Sequence, residues 1–195
     1  KPVLMVYSNI WIRGGIERVL STLLPEMTDR FRIVLISAPY ESMEGFELPK
    51  EIEHVRIEHV HPQELDMRLG CLALLYQADI FWGNPNILPA TLPVYRTMKN
   101  NGIKTILHNH YYYLFPYHEP DFYSVCDMRP EAFQYADVVL WLTNFSAMCS
   151  MSICSNNAVM PNPVSFEQPY QEYSRKKKQL LAVGRFFDKQ KRADR

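Results

Sequence analysis

The stretch Asn9-Ile10-Trp11-Ile12-Arg13-Gly14-Gly15-Ile16-Glu17-Arg18 decides the fold. Ahead of it runs Val3-Leu4-Met5-Val6-Tyr7, an unbroken apolar run of strand length. Behind it the apolar residues fall at Ile16, Val19, Leu20, Leu23, Leu24 and Met27, a helical spacing with one face for a core. The order is therefore strand, loop ending in a glycine pair, helix. Glycines at that place let backbone N–H groups approach a ligand, and a helix start adds unpaired donors suited to a phosphate or carboxylate. A plain tight turn between strand and helix is the other reading. The dinucleotide fingerprint G-x-G-x-x-G is not present, because no glycine precedes Gly14 in the loop. A nicotinamide or flavin cofactor is not expected.

Working outward, the same alternation repeats. Strands are expected at Phe31 to Ala38, His54 to Val60, Asp79 to Trp82, Lys104 to Leu107, Val138 to Leu142 and Val159-Met160. Helices are expected after Pro62, over Leu88 to Met98 with Gly102 as the stop, over part of Phe122 to Tyr135 with Pro130 interrupting it, and from Thr143 or Asn144 to Ile153. A long loop is expected from His108 to Asp121. Strands and helices in this alternation imply a parallel sheet covered on both faces: an α/β, Rossmann-like, doubly wound domain.

At Pro161-Asn162-Pro163 the composition turns polar, and the chain passes through the basic run Arg175-Lys176-Lys177-Lys178. Such a run reads first as a solvated face. Leu180-Leu181-Ala182-Val183 is then a new strand ending at Gly184-Arg185. The expected organisation is an amino-terminal domain over 1–163, a linker over 164–178, and over 179–195 the first strand and loop of a truncated second domain. An unpaired apolar strand there is a template for self-association.

Bulk properties exclude several classes. The 195 residues carry 47% hydrophobic side chains, enough for a sizeable core. Lysine plus arginine equals aspartate plus glutamate at 21 each, so no basic excess argues for nucleic acid. Cys71, Cys126, Cys149 and Cys154 are scattered without metal-type spacing, and are expected as reduced thiols. No apolar run reaches membrane-spanning length and no signal peptide precedes the first strand, so a cytoplasmic location is expected.

Four features at matching chain positions resemble the family-four (group 1) glycosyltransferases, which have the GT-B architecture. They are Gly14-Gly15-Ile16-Glu17-Arg18 after strand one; His108-Asn109-His110 after a mid-domain strand; Ala136-Asp137-Val138-Val139 leading to Thr143; and Val159-Met160-Pro161-Asn162-Pro163-Val164 followed by Leu181-Ala182-Val183-Gly184-Arg185 and Gln190-Lys191-Arg192-Ala193-Asp194. The resemblance covers the amino-terminal half of such an enzyme and implies transfer of a sugar from a nucleotide-diphosphate donor to a glycan or lipid-linked acceptor in surface polysaccharide synthesis. It implies a retaining enzyme without metal or other cofactor, the full-length protein associating peripherally with the inner face of the membrane. The implied catalytic residues are His110 and His108, two candidates for one family histidine.

The implied donor-phosphate residues are Arg185, Lys191, Gly14 and Gly15. A guanidinium fork and a compact ammonium suit the charge that develops on a departing diphosphate. Tyr111 and Tyr112 are candidates for acceptor or sugar contact, since aromatic rings stack on sugar faces; a self-packed aromatic loop is the alternative. A zinc site among the loop histidines lacks further ligands in view, and no cysteine has a partner that would make it a nucleophile. His54, His59 and His61 read as solvated strand-end residues. The family's carboxylate-bearing donor motif would lie beyond Arg195, so this chain alone is expected to fold without catalysing transfer. Competing readings are a non-catalytic binding or regulatory domain and a nucleotide-sugar epimerase of the same architecture.

Overall fold

The structure, a computed structural model, describes residues 1–38, 44–58, 60–84, 88–118 and 123–164. The chain divides into two compact units, Lys1–Pro163 and Val164–Arg195. The first holds every element described below. The linker basic run, the stretch Leu180 to Val183 expected as a strand, Arg185, Lys191 and His59 lie outside the described residues.

Seven strands form one sheet: β1 (Val3–Ile10), β2 (Arg32–Ala38), β3 (Ile52–Arg56), β4 (Ile80–Asn84), β5 (Lys104–Asn109), β6 (Val138–Trp141) and β7 (Asn157–Val159). Their order is β3-β2-β1-β4-β5-β6-β7, and every pairing is parallel. The chain winds outward from β1 in one direction and from β4 in the other. The point where that direction reverses, between β1 and β4, is where an open parallel sheet leaves a crevice at its carboxyl edge.

Side chains alternate between the two faces of each strand. Leu4 and Val6 of β1, Ile33 and Leu35 of β2 and Trp82 of β4 pack with Leu20 and Leu24 of helix α1 (Gly15–Met27). Met5, Val34, Phe81, Leu107 and Val139 face the other way, toward α2 (Leu65–Leu75), α3 (Leu88–Asn100) and α5 (Tyr123–Tyr135). The short helices α4 (Phe115–His118) and α6 (Asn144–Ser150) follow β5 and β6. A single 3-10 turn, Pro62–Glu64, leads into α2.

Several elements depart from expectation. The third strand is Ile52–Arg56 rather than His54 to Val60, because its ladder to β2 starts with Ile52 opposite Ile33. α5 runs through Pro130 without interruption. A proline costs a helix one hydrogen bond, and burial of Ala132 and Phe133 in the core offsets it. The last strand is Asn157–Val159, slightly earlier than expected. β4 and β5 both run longer, to Asn84 and Asn109. The last change matters most, because it moves His108 out of the expected loop and into a strand. Thr143 caps α6 as expected, its Oγ1 accepting from the Ser146 N–H at 3.2 Å, and Gly102 ends α3 with φ 72°.

Candidate functional site

The carboxyl ends of β1, β4 and β5 carry a row of polar residues on the α1 face of the sheet. Ser8 has the same parity as Leu4 and Val6; Asn84 has that of Trp82; His108 and His110 have that of Ile106. Ser8 and Asn84 follow only apolar residues on that face of their strands, and His108 follows the exposed Lys104 and then Ile106. Ser8 and Asn84 are direct neighbours in the β1–β4 ladder. Ser8, Asn84 and His108 are all essentially sealed from solvent.

On the β1 side, the glycine turn closes on a carboxylate. The Ser8 hydroxyl donates to Glu17 Oε1 at 3.2 Å and lies 3.0 Å from the Ile10 carbonyl. The Glu17 side chain is buried, and burial raises its pKa above the usual carboxylate value. Its own backbone N–H and the Ser8 hydroxyl favour the ionised form. Gly14 is the N-cap of α1, with extended backbone (φ −102°). A Cβ at Gly14 would stand 2.2 Å from Glu17 Oε2, whereas a Cβ at Gly15 would meet nothing within 4 Å. The two glycines thus differ: Gly14 makes room for the carboxylate, and Gly15 is the open flank.

On the β5 side, His108 lies between Trp82 (ring centroids 5.9 Å apart, stacked) and His110 (3.9 Å). Neither of its ring nitrogens has a partner. Burial, with His110 as a second cause, pushes its pKa down to about 3. His110 is half-buried, and its Nε2 is 2.9 Å from Asn84 Oδ1; burial lowers its pKa to about 4. Both rings are neutral at pH 7. The second ring nitrogen of His110 makes no hydrogen bond and is not among the sealed polar atoms, so it is open to solvent. Of the two candidate histidines, only His110 can therefore meet a ligand; His108 backs it.

Asn84, which the sequence reading did not single out, joins the two sides. Its Nδ2 donates to the Tyr7 carbonyl at 3.3 Å and its Oδ1 faces His110. Ser8 and Glu17 were missed as partners for the same reason. The available signal was a polar residue ending an otherwise apolar buried strand.

The aromatic loop after His110 packs largely on itself. Tyr111 stacks on Phe115 at 4.8 Å, and Tyr112 meets the same ring edge-on at 6.0 Å, with 43% of its surface exposed. Tyr113 is buried and its backbone is held at both ends: its N–H donates to Ser146 Oγ, and its carbonyl accepts from the buried Arg129 guanidinium. That cation also lies 4.9 Å from the Tyr113 ring and 5.9 Å from the Trp141 ring.

His54 corrects another expectation. It is half-buried rather than solvated, bonded to Ser37 Oγ at 2.8 Å and edge-on to Trp11. It lines an open cavity of about 600 Å³ beside the segment 44–50. Among the described residues no group of three or more His, Cys, Asp or Glu is placed to hold a metal ion, and no helix is long and apolar enough to cross a membrane. All four cysteines are free thiols.

No family model and no curated protein sequence matches the chain. Its likeness is to solved structures. One is an apo lipopolysaccharide outer core galactosyltransferase, WaaB, with TM-score 0.64 and 15% identity over 90% of this chain and 50% of that one. HepE of Anabaena, solved with UDP and glucose, gives 0.58 and 14% over 84% and 45%. MnaA of S. aureus, solved with UDP, gives 0.58 and 12% over 83% and 45%. This chain thus spans about half the length of the structures it matches. At these identities the shared property is the fold: a seven-stranded, all-parallel, Rossmann-like α/β sheet of the kind found in GT-B enzymes.

Proposed function

We propose that the chain is the acceptor-side half of a glycosyltransferase that moves a sugar from a nucleotide-diphosphate donor to a glycan or lipid-linked acceptor. The observation that carries this reading is the polar row at the carboxyl edge, where Asn84 ties the end of β1, through the Tyr7 carbonyl, to the neutral, half-buried His110. That row lies at the crevice where open parallel sheets take ligands, and the matched fold occurs in structures solved with UDP and glucose. In this reading Arg185 and Lys191 hold the departing diphosphate without a metal, and the developing negative charge is stabilised by fixed cations. Gly15 places a backbone N–H toward the donor, Tyr112 offers an exposed phenol ring to the acceptor, and transfer retains the anomeric configuration. The family-four (group 1) assignment, a role in surface polysaccharide synthesis and a place at the cytoplasmic face of the membrane belong to the same proposal.

A second reading, a nucleotide-sugar epimerase, shares this fold: one structure that does so carries the provisional name UDP-N-acetylglucosamine 2-epimerase, from Listeria monocytogenes, with TM-score 0.54 and 11% identity over 80% of this chain and 44% of that one. The full-length protein incubated with UDP-sugars labelled in the sugar separates the two. Label appearing in a larger glycan or lipid supports transfer. Label confined to an isomeric sugar or sugar nucleotide sinks the transferase reading. In the transferase, Arg185→Ala or Lys191→Ala lowers turnover by about 10²-fold or more, the scale of one lost transition-state charge contact.

A further inference from the structure

We propose that Asn84 is a positioning residue: it sets the tautomer of His110 so that the ring presents a bare Nδ1 to the cleft.

The argument runs through what each atom can do. The Tyr7 carbonyl can only accept a hydrogen bond, so the Asn84 atom 3.3 Å from it is the amide nitrogen, and the amide oxygen necessarily points to His110. That oxygen also only accepts, so His110 Nε2, 2.9 Å away, carries the ring's hydrogen. A neutral imidazole with hydrogen on Nε2 has a lone pair on Nδ1. Asn84 is itself sealed in the sheet, with its backbone in the β1–β4 ladder beside Ser8, so its amide has little freedom to turn over. His108 supplies the second constraint. Packed 3.9 Å from His110 with neither of its nitrogens hydrogen-bonded, it does not take up the hydrogen of that ring. The open nitrogen of His110 is thus an acceptor by construction.

The test is a long-range proton–nitrogen correlation spectrum of the chain labelled at histidine, with His110→Gln used to assign the His110 signals. The expected result is a protonated, pyrrole-type Nε2 and a bare, pyridine-type Nδ1 at neutral pH. Asn84→Ala should move the tautomer ratio toward hydrogen on Nδ1 by about five- to tenfold, the size of one lost neutral hydrogen bond. Asn84→Asp should keep hydrogen on Nε2 while raising the pKa of the ring, since a carboxylate favours the charged form. A native ring with hydrogen on Nδ1, or a ratio unmoved in Asn84→Ala, overturns the proposal. The native spectrum decides it even where a variant fails to fold. Absence of all nucleotide-sugar chemistry in the full-length protein would remove the transferase reading and leave the tautomer result standing.

Discussion

The two flanks of the crevice solve opposite problems. On the β1 side, a buried carboxylate is provided for: Glu17 is bonded by Ser8, and Gly14 leaves the space it occupies. On the β5 side, a buried imidazole is not provided for: His108 has two unpartnered nitrogens and is held by ring contacts alone. The first arrangement stabilises a turn. The second costs stability and stands directly against the His110 ring. Orphaned polar groups in a core are expensive, and here the expense falls next to the half-buried His110 ring, the pattern expected where function rather than stability sets the residue.

The largest test of this contrast is acid. His54, His108 and His110 sit well below the ordinary histidine value of 6.5, at about 4, 3 and 4, because burial disfavours the charged ring. The unfolded chain takes up protons as pH falls through 6.5, while the folded chain does so only near 4 and below. Stability is therefore complete above pH 6.5 and is lost on acidification between those limits. Glu17 works in the opposite sense: its raised pKa gives stability at low pH that is lost as pH rises through the folded value. Three imidazoles against one carboxyl leave a net loss in acid. With Glu17 set against the imidazoles, about two to three protons are taken up on unfolding near pH 5, a slope of about 3–4 kcal/mol per pH unit, enough to unfold a domain of ordinary stability in mild acid. Urea midpoints measured from pH 7 to pH 5 check this. A flat profile would mean that the histidines are not buried as described.

A smaller effect separates the two glycines. Gly14→Ala should destabilise by about 1–2 kcal/mol, since Glu17 must leave Ser8 to make room. Gly15→Ala should be neutral or stabilising by about 0.5 kcal/mol, because its Cβ meets nothing and the unfolded chain loses freedom. In a Glu17→Ala background the Gly14→Ala penalty should vanish, a coupling visible in a double-mutant cycle of urea unfolding. A penalty that persists without Glu17 would show that the backbone, not the carboxylate, requires Gly14.

The smallest effect is a gain. His108→Leu replaces an unpartnered ring with an apolar group and should stabilise by about 1 kcal/mol. It should also reduce proton uptake on acid unfolding by about one proton. A marked loss of stability would mean that the stack on Trp82 and His110 contributes more than the orphaned nitrogens cost.

Most of the fold could be read along the chain. The apolar runs that became β1, β2 and β4 to β6, the helical spacing from Ile16 to Met27, the Thr143 cap and the Gly102 stop are local signals, because period and capping act over a few residues. The third strand was misplaced because His54 to Val60 alternates almost as well as Ile52–Arg56, and only pairing with β2 chooses between them. Pro130 was misjudged because a local cost was weighed without the packing of Ala132 and Phe133 that outweighs it.

The site divides along the same line. The glycine pair, the two histidines and the aromatic run stood out as residue types. Their roles came from contacts between segments far apart in the chain. Gly14 is explained by Glu17 and Ser8. His110 is distinguished from His108 by two positions of strand, which put one ring at the rim and the other in the core. Asn84 lies 26 residues from His110 in sequence and one hydrogen bond away in space. Periodicity and turn chemistry are written residue by residue, so they announce a parallel sheet and the loops at its edge. Which polar atoms meet at that edge depends on strand order and register, and those emerge only when separate segments pack.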